Sequence, residues 1–455
     1  MEMVLEFLRD VLSQPALLIG IMSCIGLIAL KRPFHKIMTG TLKPILGYLM
    51  LAAGAGVIVS NLDPLGKMIE HGFHITGVVP NNEAIVAVAQ KVLGVETMSI
   101  LVVGLLMNLC IARFTKFKYV FLTGHHSLFM ACLMSAVLGT AGLSGMELIL
   151  VGGFLMGAWS AISPAIGQSY TSKVTEGDEI AIGHFGSLGY YLSAWVAKYV
   201  GKADDSTEDI EIPEKWGFLR DSTLSTALTM IVFYLIAAFA AGSEFVATLS
   251  GDMSPYLYAV MSAMNFAVGV TIVYSGVRMI LGDLIPAFQG IATKIIPNAI
   301  PAVDCAVFFT YAPTAVVLGF ISSFIGGIIG MLILGAVGGV LIIPGLVPHF
   351  FCGATAGIYG NATGGRRGAA VGAFLNGLAI TFLPALALPV LGQLGFQNTT
   401  FGDADFAVMG LVLGNAFEWI GMAGIYGVVV IAALVLIIPN FIKTKGKVIN
   451  YVEEE

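Results

Sequence analysis

Charge is what this 455-residue sequence lacks most: only 11% of its residues are Asp, Glu, Lys or Arg, against roughly 25% in soluble globular chains. The 22 basic and 28 acidic residues cannot wet a particle of this size, so a soluble globular fold is ruled out. The formal net charge is −6, and the basic clusters, such as Lys31, Arg32, Lys36 and Lys43, sit beside apolar runs where they set topology. No nucleic-acid partner is expected. Cysteine is sparse. Cys24, Cys110, Cys132, Cys305 and Cys352 are scattered, and no pair has CxxC spacing, so neither a disulfide framework nor a zinc site is indicated. No metal and no cofactor is expected. Walker A, GxSxG and HExxH motifs are missing, which leaves ATP-driven transport and the commonest hydrolase sites without support; no residue is assigned a catalytic role. The stretch Met1–Asp10 is charged and lacks a small-residue cleavage site, so a removable signal peptide is not expected.

What is present is apolar surface. Apolar residues make up 57% of the chain and the mean hydropathy is +0.91, so the outer surface must be solvated largely by lipid. Fifty-six glycines and the scarcity of polar/apolar alternation argue against a lipid-facing β-barrel. Helices remain as the way to satisfy the backbone in hydrocarbon. Runs long enough to span lie near 15–30, 44–60, 97–112, 119–140, 146–166, 224–242, 256–280, 316–344, 369–392 and 421–439. Stretches 180–200, 302–313 and 405–419 are apolar but interrupted. Basic loops around Lys31–Lys43 and Arg113–Lys118 belong in the cytoplasm, with the net-acidic loop 61–96 outside. Lys443, Lys445 and Lys447 place the C-terminus inside. An outside start and an inside finish need an odd number of spans. The sequence therefore predicts an all-α polytopic membrane protein of about eleven helices plus re-entrant segments.

Chain organisation follows. The whole of 1–455 reads as a single membrane domain: a first half over 1–200, a cytoplasmic acidic linker over 201–222, a second half over 223–420, and a final helix with a cytoplasmic tail over 421–455. The linker, part of a polar stretch from Lys198 to Asp221, reads as a solvated connection or as a landing site for a soluble partner. Val78-Val79-Pro80-Asn81 recurs as Ile295-Ile296-Pro297-Asn298, a faint echo compatible with a repeat, as in transporters whose interrupted helices meet at a substrate site.

Titratable side chains within apolar runs are costly and so mark candidate sites. His125 and His126 lie in LTGHHSLFM. Two adjacent residues diverge, so at most one is expected to face a given cavity, and the preceding Gly124 favours His125. His184, in EIAIGHFGSLGYY, repeats the Gly-His pair. Asp304 follows two prolines, a pattern that suggests a broken helix lining a cavity. Glu83 follows Pro80-Asn81-Asn82 and reads either as a helix-start residue or as a site carboxylate. Glu418 reads as a helix-end carboxylate. Gly326/Gly330 and Gly335/Gly339 have GxxxG spacing suited to tight helix packing. The Gly-rich stretch 350–370, with Arg366 and Arg367, reads as re-entrant or cavity-lining.

At LTGHHSLFM, AIGHF and AVDCAVFFTYAPTAVVLGF the chain resembles the ascorbate-specific IIC component of the bacterial phosphoenolpyruvate-dependent phosphotransferase system. The resemblance continues through LAAGAGVIVS, VRMILGDLIPAFQGI, IIPGLVPHFFCGAT and the acidic linker. It implies a homodimer in the bacterial cytoplasmic (inner) membrane, with inverted repeats, a dimer-forming scaffold and a moving core that carries substrate as an elevator. It further implies separate soluble IIA and IIB partners, with IIB phosphorylated on cysteine, and L-ascorbate 6-phosphate as the trapped product. His125, His184 and Asp304 match the family's substrate-contacting His, His and Asp. Phe129 and Phe185 stand where those transporters have glutamines, and Asn82-Glu83 where they have Thr-Tyr. All seven are taken as substrate-binding candidates. His125 and Phe129, one helical turn apart, share a face. Two rings in place of two amides remove hydroxyl partners but leave stacking surfaces, and Glu83 would repel an anion. The expected activity is uptake of L-ascorbate, or of a related sugar acid or polyol, coupled to its phosphorylation. The alternative is an ion-coupled secondary transporter, and a third reading is a substrate-sensing receptor.

Overall fold

The structure, a computed structural model, describes residues 11, 14–74, 77–80, 82–210, 222–294, 296–392 and 399–441. Asn81, Ile295, the linker residues 211–221, the Lys443–Lys447 cluster and the stretch Met1–Asp10 lie outside the described residues, as does the side chain of Glu83.

Helices form along the apolar runs in two packing groups. The first comprises α1 (Pro15–Ala29), α2 (Phe34–Phe73), α8 (Ser222–Ala241), α9 (Ser243–Ser250) and α10 (Pro255–Lys294). The second comprises α3 (Asn82–Phe114), α4 (Gly124–Thr140), α5 (Gly145–Ile166), α6 (Gln168–Thr175) and α7 (Ser187–Val200), then α11 (Cys305–Phe308), α12 (Pro313–Ala336), α13 (Leu346–Gly392), α14 (Ala404–Ile420) and α15 (Met422–Phe441). Each group packs mainly within itself: α2 against α10 in the first, and α12 against α13, α7 against α13 and α3 against α5 in the second. Large apolar side chains also point outward, among them Ile236, Leu332 and Ile431, each more than half exposed. In water such surface would aggregate; in lipid it is the solvated face.

Five of the described helices are long and apolar enough to cross a membrane: Gly145–Ile166, Pro255–Ile272, Pro313–Ala336, Leu346–Val390 and Met422–Phe441. The bent pair Thr226–Ala241 and Ser243–Ser250 makes a sixth if counted as one span. The chain is thus a multi-pass helical membrane protein. Among the described residues this is fewer than the eleven expected; α1, for one, has only 15 residues.

The stretch 350–370, expected to be re-entrant or cavity-lining, is helical with a break at Gly364 and Gly365, which divide α13 into two helices. Gly365 has φ +61° and a Cβ there would lie 2.3 Å from the carbonyl oxygens of Lys202 and Asp205, so glycine is required twice over. The first part of the acidic linker occupies that break. The Arg366 N–H donates to the Asp205 carbonyl at 2.7 Å, and the Thr207 N–H donates to Asn361 at 2.8 Å. Glu208 accepts from the N–H groups of Thr314 and Ala315 at 3.0 and 3.1 Å, capping the start of α12 where free N–H groups and the helix dipole favour an anion. Through Asp209 this segment is therefore fastened to the second group. Of the two GxxxG pairs, Gly326 and Gly330 face α13 closely, with Phe374 and Thr381 in the way of any side chain. Gly339 lies beyond the end of α12 at Ala336, so the second pair is not a helix-packing motif.

Short parallel strands position the polar residues. β2 (Tyr119–Phe121), β4 (Ile300–Val303) and β3 (Ala181–Ile182) form a three-stranded sheet with β4 in the centre. β1 (Val79–Pro80) pairs in parallel with β5 (Thr399–Thr400), and Val78 bridges Ile342. A strand from the second half thus lies between two from the first, while β1 of the first half lies against segments of the second. The pairing satisfies extended backbone that has little water to turn to. Pro301 is tolerated in the central strand because β3 pairs only from Ala302 onward, so the missing N–H costs no ladder bond.

Candidate functional site

All three strands of the first sheet run parallel, so their C-terminal ends emerge on one side, the side on which open parallel sheets hold ligands. β2 leads to His125 and His126 at the start of α4, β3 leads to His184, and β4 leads to Asp304. Four polar side chains that are distant in sequence are thereby brought together. His125 Nε2 lies 3.3 Å from Asp304 Oδ2. The rings of His125 and His126 are 4.7 Å apart, and those of His126 and His184 are 3.7 Å apart.

Each ring is held by a defined partner. The Phe185 N–H donates to His126 Nδ1 at 3.2 Å, and the Gly186 N–H donates to His184 Nδ1 at 3.2 Å. Tyr190 Oη also lies 2.7 Å from His184 Nδ1. With both Nδ1 lone pairs engaged, the neutral rings carry their protons on Nε2 and present N–H donors. Tyr48 Oη lies 3.0 Å from His125 Nδ1. Asp304 caps α11 by accepting the Ala306 N–H on Oδ1 at 3.0 Å, whereas its buried Oδ2 has no hydrogen bond among the described residues. A buried carboxylate oxygen left in that condition is costly unless a ligand completes it.

A second polar cluster adjoins the first. The Asn82 amide donates to Asp403 Oδ2 at 2.6 Å and its carbonyl accepts the Gly402 N–H at 2.9 Å. Cys352 Sγ lies 2.8 Å from Asp403 Oδ1, and that oxygen is 3.9 Å from His184 Nδ1. Asp405 accepts from Ser187 at 2.8 Å, the Leu188 N–H at 3.0 Å and the Trp159 indole at 3.3 Å. Ligand-type atoms of His126, His184 and Asp403 all fall within 4.8 Å of one another. However, the backbone N–H groups on both Nδ1 atoms suit the rings to donating to oxygen rather than to coordinating a cation.

The other candidates divide. The Phe129 ring lies 5.8 Å from His125 and 5.7 Å from His126, walling the histidine row. Phe185 is fully buried and stacks on Phe121 at 4.5 Å. It reaches the row through its backbone N–H, with its ring in an aromatic cluster that includes Phe406. Asn82 sits in the second cluster, and the backbone of Glu83 lies in the first turn of α3. The two adjacent histidines were expected to diverge, with at most one facing a given cavity. They do point to different partners, yet His126 takes the middle place in a continuous row, between His125 and His184. Tyr48, Asp403 and Asp405 were not singled out in the sequence, and His126 was named there but passed over in favour of His125. The pair of aspartates in an apolar context, FGDADF, was the available signal.

These features define a polytopic helical membrane protein with a buried polar site built from both halves of the chain. Comparison with known proteins gives the family. Residues 10–405 match the family described as PTS system sugar-specific permease component, EIIC-GAT, and the chain belongs to it. It is also similar to the ascorbate-specific PTS system EIIC component of Mycoplasma pneumoniae, with 28% identity over 417 residues, covering 78% of this chain and 62% of that protein. The chain therefore spans less than two thirds of the length of that relative.

Proposed function

We propose that this chain is the membrane permease of a phosphotransferase system that takes up L-ascorbate, or a related sugar acid or polyol, coupled to phosphorylation of the solute by a soluble IIB protein carrying phosphocysteine. A IIA protein recharges IIB. The observation that carries this reading is the convergence of His125, His126, His184 and Asp304 at the ends of three parallel strands. Two Nε2–H donors and an unsatisfied carboxylate oxygen match the acceptor and donor faces of a polyhydroxylated solute, and Phe129 supplies an apolar wall of the kind sugar rings stack on. The similarity to an ascorbate-specific relative makes ascorbate the first substrate to test.

The same reading covers the assembly. The two packing groups supply a frame (α1, α2, α8–α10) and a body that holds the site, the division an elevator needs. The crossed pairing of β1 with β5 and of β4 with β2 and β3 supports an inverted repeat in which 1–200 and 223–420 are the halves. The protein sits as a homodimer in the bacterial cytoplasmic membrane, with about eleven spans.

The test is uptake into sealed vesicles holding the purified chain. Accumulation of radiolabelled L-ascorbate, xylitol or L-gulonate should require internal phosphoenolpyruvate and the soluble phosphoryl carriers, and the product should be a phosphate ester. Uptake that proceeds without those proteins and collapses with a protonophore would establish ion coupling instead.

A further inference from the structure

Tyr48 lies on α2, in the first packing group, yet its hydroxyl reaches His125 in the second. Its ring is buried, whereas the His125 side chain is 35% exposed. The Asp304 carboxylate lies 3.3 Å from Nε2 without an aligned hydrogen bond, and the attraction of that carboxylate for an N–H favours the tautomer with its proton there. Nδ1 is then the one ring position able to accept a hydrogen bond, and it has a single lone pair. Tyr48 occupies it.

We propose that Tyr48 is a placeholder for substrate: its hydroxyl fills the acceptor position of His125 that a substrate hydroxyl takes on binding. The inference rests on the reading of His125 as a substrate contact. A lone pair takes one short hydrogen bond (at His184 Nδ1 the second donor stands off at 3.2 Å), so a solute hydroxyl that donates closely to Nδ1 must displace Tyr48. In exchange the site loses a contact that joins the two helix groups. Binding therefore loosens the body from the frame at the point where the solute sits, and an empty site stays fastened. Tyr48 is a positioning residue on this account, since it acts through His125 and departs when substrate arrives.

Tyr48→Phe keeps the ring and deletes the competitor. Affinity for L-ascorbate should tighten by about two- to tenfold, the worth of one net hydrogen bond. In a His125→Gln background the same change should move affinity by less than about twofold. If Tyr48 instead donates to substrate, or merely packs, Tyr48→Phe will weaken binding or leave it unchanged, and the proposal falls. A second readout needs no substrate. Diethylpyrocarbonate attacks a ring nitrogen with a free lone pair, so its rate at His125, followed by mass spectrometry against the exposed His35 and His74, should rise at least threefold in Tyr48→Phe. An unchanged rate overturns the proposal. Tyr48→Met, which also lacks the hydroxyl, serves if the Phe variant fails to fold. An unsubstituted protein that binds no L-ascorbate counts against ascorbate as substrate, while the modification rate still decides for or against the placeholder.

Discussion

The two polar clusters are built alike and finished differently. In both, parallel strands of two to four residues end at the start of helices and deliver polar side chains there. Around β1 and β5, every carboxylate oxygen of Asp403 and Asp405 has a donor: Asn82 and Cys352 for the first, Ser187, Leu188 and Trp159 for the second. Around β2, β4 and β3, Asp304 Oδ2 has no hydrogen bond among the described residues, only the 3.3 Å ion-pair contact with His125, which is itself partly exposed. A saturated buried network specifies and stiffens the fold; an incomplete one carries a free-energy cost that persists in a native protein when something else completes it. On the proposed function, the first cluster is the place for a solute and the second is its support.

That contrast can be broken by substitution. The largest effect is expected from Asp405→Asn. An amide cannot accept from three donors as a carboxylate does, so stability should fall by roughly 2–4 kcal/mol, read as a lowered melting temperature in detergent, with affinity of the folded protein changed less than a few-fold. Equal loss of affinity and stability would merge the two clusters into one. Asn82→Ala removes both the donor to Asp403 and the acceptor for the Gly402 N–H, and should cost about 1–2 kcal/mol. Because Asp403 lies beside His184, a modest weakening of binding should accompany it. The smallest effect sharpens the comparison within the site. Phe129→Gln places an amide beside the histidine row and should shift preference between L-ascorbate and xylitol by about 1 kcal/mol, measured as the ratio of their dissociation constants so that the stability lost with the buried ring does not enter.

The legible part of the site was the part that violated hydropathy. His125, His184 and Asp304 stood out because a titratable group in an apolar run has to be accounted for, and the structure places all three at one sheet edge. Asp403 and Asp405 break hydropathy just as plainly, but they open an apolar helix and so read as its boundary. Tyr48 gave no signal, since tyrosine is unremarkable in a membrane helix and its partner is 77 positions away. The strands were invisible for a different reason: two to four residues cannot display a period of two. Pro80 and Pro301 were visible as helix breakers, and the extended segments they mark became strands only through partners from the other half of the chain. The linker offers a similar lesson. Its charge suggested solvent exposure, whereas Glu208 is spent on capping α12, a use of charge that depends on where the helix starts in space.

The most direct test compares equilibrium binding of L-ascorbate, xylitol and L-gulonate to unsubstituted protein and to Asp304→Asn, with melting temperature recorded on the same samples. The account predicts that the solute bound by the parent loses about ten- to a hundredfold in affinity, as expected for a hydrogen bond to a charged group, while stability changes little, because the amide oxygen keeps the Ala306 N–H and the NH2 takes the position that had no hydrogen bond. Unaltered affinity for every solute the parent binds would contradict it.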